Sequence, residues 1–231
     1  MDVLIEGVRQ AAALLLGADR EIAAVLWLSL QVSGTATLIA LLLGIPAGAG
    51  LALTRFPGRT LVVSAVNTGM GLPPVVVGLF VTILLWRSGP FGDWEILYTP
   101  AAIVLAQAVI ASPIVTGITL AAVQNVPAKF RLQLIALGAS RRQMLWVVLR
   151  EARLPMLAAV MAGFGGVISE IGASMMVGGN IKGQTRTLTT AMVLETGKGN
   201  FDVAIALSIL LLALVFGINW ALTMVQQRRA A

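Results

Sequence analysis

This chain has 231 residues, 58% of them apolar and only 11% charged, with a mean hydropathy of +0.93, whereas soluble domains carry about 25% charged residues. It contains no histidine and no cysteine, which excludes Ser-His and Cys-His hydrolases, HExxH proteases, Cys/His zinc sites, iron–sulfur centres and disulfide scaffolds. The net charge of +6 fits either a nucleic-acid surface or basic membrane-side loops, and the positions of the basic residues decide between them.

Residues 1–21 carry Asp2 and Glu6 where a secretory signal needs basic residues, and no small-residue cleavage site follows. Val3, Leu4, Val8, Ala11, Ala12, Leu15 and Leu16 fit one helix face, so the stretch reads as a helix on the outer membrane surface or as a frayed polar leader. Uncharged runs follow at residues 22–54, 60–86, 96–128, 154–169 with 171–181, and 203–227. A membrane span takes roughly 20 apolar residues, so these runs predict an all-α chain with five spans in one domain, residues 22–227, and a short tail at 228–231. The third helix is expected to stop near Val123, ahead of Gln124, Asn125 and Pro127, and Glu170 makes the fourth span the weakest.

Ten of the sixteen basic residues fall on one side: Arg55 and Arg59, then Lys129, Arg131, Arg141, Arg142, Arg150 and Arg153, then Arg228 and Arg229. The other side carries eight of the ten acids. Cytoplasmic loops are enriched in Lys and Arg, so the chain is expected to run N-outside to C-inside, in the cytoplasmic membrane of a prokaryote. The basic balance then reflects that bias, and no nucleic-acid partner is expected.

Glycine and proline interrupt three spans: Gly44, Ile45 and Pro46 in the first, Gly71, Leu72, Pro73 and Pro74 in the second, Ser112 and Pro113 in the third. Broken helices at membrane depth need a neighbouring helix or a water-filled path to satisfy the freed backbone groups, so three breaks favour a translocation path over ordinary packing. Trp27, Trp86, Trp94, Trp220 and Tyr98 lie near span ends and read as interfacial anchors. Asn67, Gln107 and Asn219 read as interhelical hydrogen-bonding residues or as lining of the path.

The connection at residues 126–155 is long, and it is not a linker. Phe130, Leu134 and Leu137, then Met144 and Val148, recur at helical spacing. Pro127 suits a helix start, Gly138 a helix stop, and Ser140 an N-cap, so two short helices at about a right angle are expected at the cytoplasmic face, offering a docking surface.

The stretch Ala136, Leu137, Gly138, Ala139, Ser140, Arg141 resembles the Glu-Ala-Ala loop of binding-protein-dependent ABC importer permeases. Gly138 matches the loop's glycine, and Leu154-Pro155 matches the second Leu-Pro of oxyanion permeases. Leu132, Gln133 and Leu134 stand where Glu-Ala-Ala is usual, and Arg150-Glu151 replaces the first Leu-Pro. Leu72-Pro73-Pro74 through Val77 and Gly78 resembles the Leu-Pro-Pro segment of molybdate, tungstate and sulfate permeases. Ser169-Glu170-Ile171-Gly172, then Gly178-Gly179-Asn180-Ile181, then Thr185-Arg186-Thr187-Leu188-Thr189-Thr190 resembles that subgroup's signature, in its details most like tungstate permeases.

The resemblance implies the five-helix type I importer permease fold and a non-catalytic subunit. It implies a second copy of the chain, a separate cytoplasmic ATPase dimer carrying ATP and Mg, an extracytoplasmic oxyanion-binding protein, surrounding lipid, and no cofactor bound by this chain. It implies ATPase coupling through Leu132, Leu134, Ala136, Leu137, Gly138, Ala139, Ser140 and Arg141. It places a path or gate at Pro73, Pro74, Val77, Gly78, Glu170, Gly178, Gly179, Asn180, Thr185 and Thr187. Tungstate is the first substrate choice, then molybdate, then sulfate.

Glu170 is the one ionisable group within a span, readable as a hinge or gate contact or as a structural acid bonded to backbone or to a basic residue. Residues 178–185 miss a P-loop, lacking its lysine and a preceding strand, which excludes nucleotide binding there. They read as an outer turn whose amides could meet an anion in passing. A stand-alone channel or secondary transporter would need more coordinating groups across its spans, and an intramembrane aspartyl enzyme would need paired acids at depth.

Overall fold

A computed structural model describes Gly7, Arg9 and residues 20–228. The expected surface helix or leader at 1–21 and the tail at 228–231 therefore lie largely outside the described residues. Gly7 and Arg9 are helical, and Gly7 is buried against Ile205. The described elements are α1 (Arg20–Leu53), α2 (Arg59–Met70), α3 (Pro74–Leu85), a 3₁₀ turn (Gly92–Trp94), α4 (Pro100–Gln124), α5 (Ala128–Ala136), α6 (Arg141–Glu151), α7 (Arg153–Ile168), α8 (Gly172–Gly178), α9 (Leu188–Gly197) and α10 (Phe201–Arg228).

Three helices, α1, α4 and α10, are long and apolar enough to cross a membrane singly. Two bent pairs meet the same measure of length and hydropathy together: α2 with α3, turning by 102°, and α7 with α8, turning by 58°. Counting each pair as one span gives five among the described residues, the number expected.

Four layers of apolar packing stack along α1. Val25 packs with Leu188, Ala191 and Leu207, and Val32 with Val77, Val81, Ile103, Ala106, Ala173 and Val177. Ala40 then packs with Ala111, Val115, Ala159 and Val167, and Ala49 with Val123, Val126, Val148 and Ala152. Along α4 the same layers are met in the same order as along α1, and along α7 and α8 in the reverse order, so α1 and α4 run parallel and the α7–α8 span runs against them. α10 starts at the Val25 layer. The long faces left outside are apolar, with Leu42, Leu61, Phe80 and Phe216 at 74, 75, 62 and 71% exposure, as a surface meeting lipid or a second apolar protein face requires.

The expected breaks in the first and third spans do not occur: Pro46 lies inside continuous α1 and Pro113 inside continuous α4. Hydroxyl groups brace α4 around its proline, Ser112 donating to the Ala108 carbonyl at 2.6 Å and Thr116 to the Ser112 carbonyl at 2.7 Å. The glycines beside Pro46 serve contact between helices. A Cβ on Gly44 would lie 2.8 Å from Val115, and one on Gly48 would lie 2.5 Å from the Thr116 carbonyl oxygen. α1 and α4 make the most extensive pairing in the bundle, and these two glycines let the backbones approach.

The second span does break as expected. Gly71 closes α2, Pro73 stands in extended backbone at the start of α3, and Pro74 is its first residue. Two consecutive residues without N–H groups fall where a helix start leaves donors unpaired in any case. The fourth span breaks at residues 169–171 with no proline present.

Replacing Gly48 by Ala is expected to lower stability by about 1–3 kcal/mol, the usual cost of overpacking against backbone. Replacing Gly50, where a Cβ meets nothing within 4 Å, is expected to leave it unchanged or raise it by up to about 1 kcal/mol. Thermal unfolding in detergent distinguishes the two.

Candidate functional site: a docking loop and two broken spans

Residues 126–152 fold at one end of the bundle. α5 ends at Leu137, and Gly138 takes the left-handed conformation with φ +76°. The Gly138 N–H donates to Ile135 and the Ala139 N–H to Leu134, which closes the helix with a Schellman turn. Ser140 then starts α6 with a capping box: its hydroxyl accepts from the Gln143 N–H, and the Gln143 side chain accepts from the Ser140 N–H. The expected stop and restart are therefore built from local sequence.

Phe130, Leu134, Met144 and Leu149 pack on the layer around Val123 and Val148. Leu137 does not join them. At the last turn of α5 it is 82% exposed, with Leu132 at 64% and Trp146 at 60%. A cleft of about 590 Å³ opens between the turn and α6, lined by Leu137, Gly138, Ala139, Arg142, Gln143 and Trp146, among others. Arg150 lies 5.2 Å from the centre of the Trp146 ring, a cation–π contact. Exposed apolar groups around a cleft with Arg142 in its wall form a surface suited to a partner protein.

At the break of the second span, the path residues divide. Pro73 is exposed, whereas Val77 and Gly78 are buried in the layer with Ala173 and Val177. A Cβ on Gly78 would lie 2.7 Å from the Ala173 Cα, so α3 and α8 touch backbone to backbone there. The exposed apolar side chains at this break are Leu72, Val75, Val76, Leu79 and Phe80, which the sequence reading did not single out. They lie off the buried positions Val77, Val81 and Leu85, which recur at the four-residue spacing of a helix.

The break of the fourth span is held by side chains. In an unbroken helix the Val167 carbonyl would accept from the Ile171 N–H. Here it accepts from the Glu170 N–H at 3.2 Å and from the Gln107 side-chain amide of α4 at 3.0 Å. Gln107 also donates to the Ser174 hydroxyl at 3.3 Å. One Glu170 carboxyl oxygen accepts from the Ala173 N–H at 2.7 Å and so starts α8. The Glu170 carbonyl accepts from the Thr189 hydroxyl of α9 at 3.0 Å. Glu170 is 7% exposed, and this geometry gives it the backbone-bonded structural role that the sequence left open. Gln107 is interhelical, one of the two roles read for it.

The signature turn continues the same network. Gly179 ends α8 at φ +70°, and Asn180 follows at φ +50°. The buried Thr185 hydroxyl donates to the Gly178 carbonyl at 2.5 Å and accepts from the Ile181 N–H at 2.9 Å. The Asn180 side-chain amide donates to the Thr190 carbonyl at 3.3 Å, and Thr187 caps α9 in a box with Thr190. The Leu188 N–H donates to the Ser29 hydroxyl of α1 at 2.9 Å. Glu170, Gly178, Gly179, Asn180, Thr185 and Thr187 are thus brought together with α1, α4 and α9, and the second-span break packs against them: a Cβ on Gly172 would lie 2.5 Å from the side chain of Val75, the residue after Pro74, while Pro73 itself is exposed. Outside the spans, hydrogen bonds from Lys198 and Asn200 hold the Glu195 carboxyl below the ordinary carboxylate range.

Replacing Thr185 by Val leaves the Gly178 carbonyl and the Ile181 N–H unpaired, an expected cost of about 1–3 kcal/mol. Replacing it by Ser keeps both bonds, so unfolding midpoints should fall for T185V and hold for T185S.

Comparison with known proteins places this geometry. The family described as binding-protein-dependent transport system inner membrane component matches residues 40–231. A protein of Haloferax volcanii named probable anion ABC transporter permease protein is 43% identical over 196 residues, covering 83% of this chain and 84% of its own. The tungstate uptake system permease protein TupB of Peptoclostridium acidaminophilum is 37% identical over 227 residues, covering 98% of this chain and 100% of its own. The solved inward-facing MetNI methionine ABC transporter matches in shape, with a TM-score of 0.74 at 22% identity over 90% of this chain and 95% of the matched chain, which speaks for the fold alone. The chain therefore belongs to the family of binding-protein-dependent transport system inner membrane components and has the type I ABC importer permease fold.

Proposed function

We propose that this chain is the permease subunit of an ATP-driven importer that passes a tetrahedral oxyanion, tungstate first, across the cytoplasmic membrane. The observation that carries the reading is the likeness to a tungstate uptake permease along the whole of both chains. Two copies enclose the path. The basic side, with the loop at 126–155, faces the cytoplasm, in keeping with the bias of Lys and Arg.

In this reading an ATPase subunit, which carries the ATP and Mg, seats the exposed Leu132, Leu137 and Trp146 of each permease copy in a cleft. Leu134 faces inward and transmits the push to the bundle, while Ala136, Gly138, Ala139, Ser140 and Arg141 fix the turn. The apolar side chains free to meet a second copy at the second-span break are Leu72, Val76 and Phe80, and they form the constriction, with Pro73, Pro74, Val77 and Gly78 setting its backbone. No tight anion site is required in the path, because weak contacts permit release. Molybdate is close to tungstate in size and charge, so choice between them rests with the extracytoplasmic binding protein.

Proteoliposomes carrying the chain with its ATPase, ATP inside and binding protein outside, are expected to take up tungstate. Gly138 sits at φ +76°, where a β-branched residue costs about 1–2 kcal/mol and Asn fits. G138V is therefore expected to lose ATP-dependent uptake and G138N to retain it. Uptake that persists without the ATPase, or none of any oxyanion, would overturn the reading.

A further inference from the structure

Both ends of the docking loop lead into helices that meet again at the fourth-span break. α4 enters the loop at Gln124, and Gln107 lies 17 residues back along it, about 26 Å of helix. α7 leaves the loop at Arg153, and Val167 lies 14 residues on, about 21 Å. The Gln107 amide bonded to the Val167 carbonyl ties these two arms together at the point where the span bends. Gln107 is 2% exposed, and its amide oxygen is buried without a hydrogen-bond partner. Glycine eases sliding between the arms below this tie: Gly163 of α7 faces Val115 of α4, where a Cβ would sit 3.2 Å away.

We propose that Gln107 is a positioning residue of the transport cycle. By gripping the freed carbonyl at the break, it makes α8 and the signature turn follow the movement of α4 when the loop is pushed. The buried amide oxygen marks a grip that leaves one group unpaired in this state and gains a partner when the bend changes. Four side chains bond backbone at the break: Ser169, whose hydroxyl donates to the Gly165 carbonyl at 2.7 Å, and Glu170 belong to the break itself and Thr189 to α9, so among the described residues Gln107 alone reaches it from the α4 arm of the loop.

This inference rests on the proposed permease function, and the experiment separates the two. The chain has no cysteine, so M175C, exposed on α8 just beyond the break, supplies a single thiol per copy. In reconstituted complexes, maleimide labelling of M175C is compared between nucleotide-free and ATP–vanadate states, alongside tungstate uptake and ATP hydrolysis.

With Gln107 present, the labelling rate is expected to differ between the states. In Q107L and Q107M, which keep an apolar side chain of similar size but no donor, the difference should vanish. Uptake should fall about tenfold while ATP hydrolysis continues, the size expected for loss of one coupling contact. Wild-type uptake and state-dependent labelling in both variants would overturn the inference while leaving the permease reading standing. Loss of assembly and of ATP hydrolysis together in both variants would also overturn it, in favour of a purely structural role. Absence of uptake in the wild-type complex would instead sink the permease reading.

Discussion

A backbone at membrane depth has no water to bond, so every carbonyl and amide freed by a broken helix must find its partner within the protein. This constraint organises the molecule around residues 169–171. Side chains supply much of the replacement: the Gln107 amide joins the Glu170 N–H at the Val167 carbonyl, the Glu170 carboxyl accepts from the Ala173 amide, and the Thr189 hydroxyl donates to the Glu170 carbonyl. The replacements come from α4, from the break itself and from α9, so the bend joins elements far apart in the chain. Ser29 extends the network to α1 through the Leu188 amide.

The remaining bundle supplies rigid surroundings for that bend. Gly44 and Gly48 let α1 and α4 lie close enough to act as one unit, with a layer of small and branched apolar residues at each level. At one end, a Schellman turn and a capping box join two short helices, and Leu137 stands exposed between them. That loop leads into α4 and α7, which meet again at the bend through Gln107 and Val167, so loop, helices and bend are continuous in the structure.

The parts legible in the sequence were those whose physics is local. Uncharged runs marked the spans, Ser140 marked its own cap, and Gly71 with two prolines marked the second-span break. The same residue type misled elsewhere. Pro46 and Pro113 are carried through continuous helices that pack closely on each other through Gly44 and Gly48, a contact between α1 and α4 that does not show in the order of residues. The fourth-span break has no proline, and the Gln107 bond that holds it spans 60 residues of sequence. Leu137 was read as part of an exposed docking surface, and it is 82% exposed, whereas Leu134 of the same reading is packed against the bundle. Val77 and Gly78 were read as path or gate residues of the second span, and the fold buries both while leaving Leu72, Val76 and Phe80 exposed.

The most direct measurement is amide hydrogen exchange across residues 169–175 in the reconstituted chain, comparing E170Q with E170L. Gln keeps an oxygen to accept from the Ala173 amide, and Leu keeps the volume but no acceptor. Protection at Ala173 should survive in E170Q and be lost in E170L, with exchange spreading into α8. Equal protection in both would contradict the claim that side chains, rather than the helices themselves, hold the broken span.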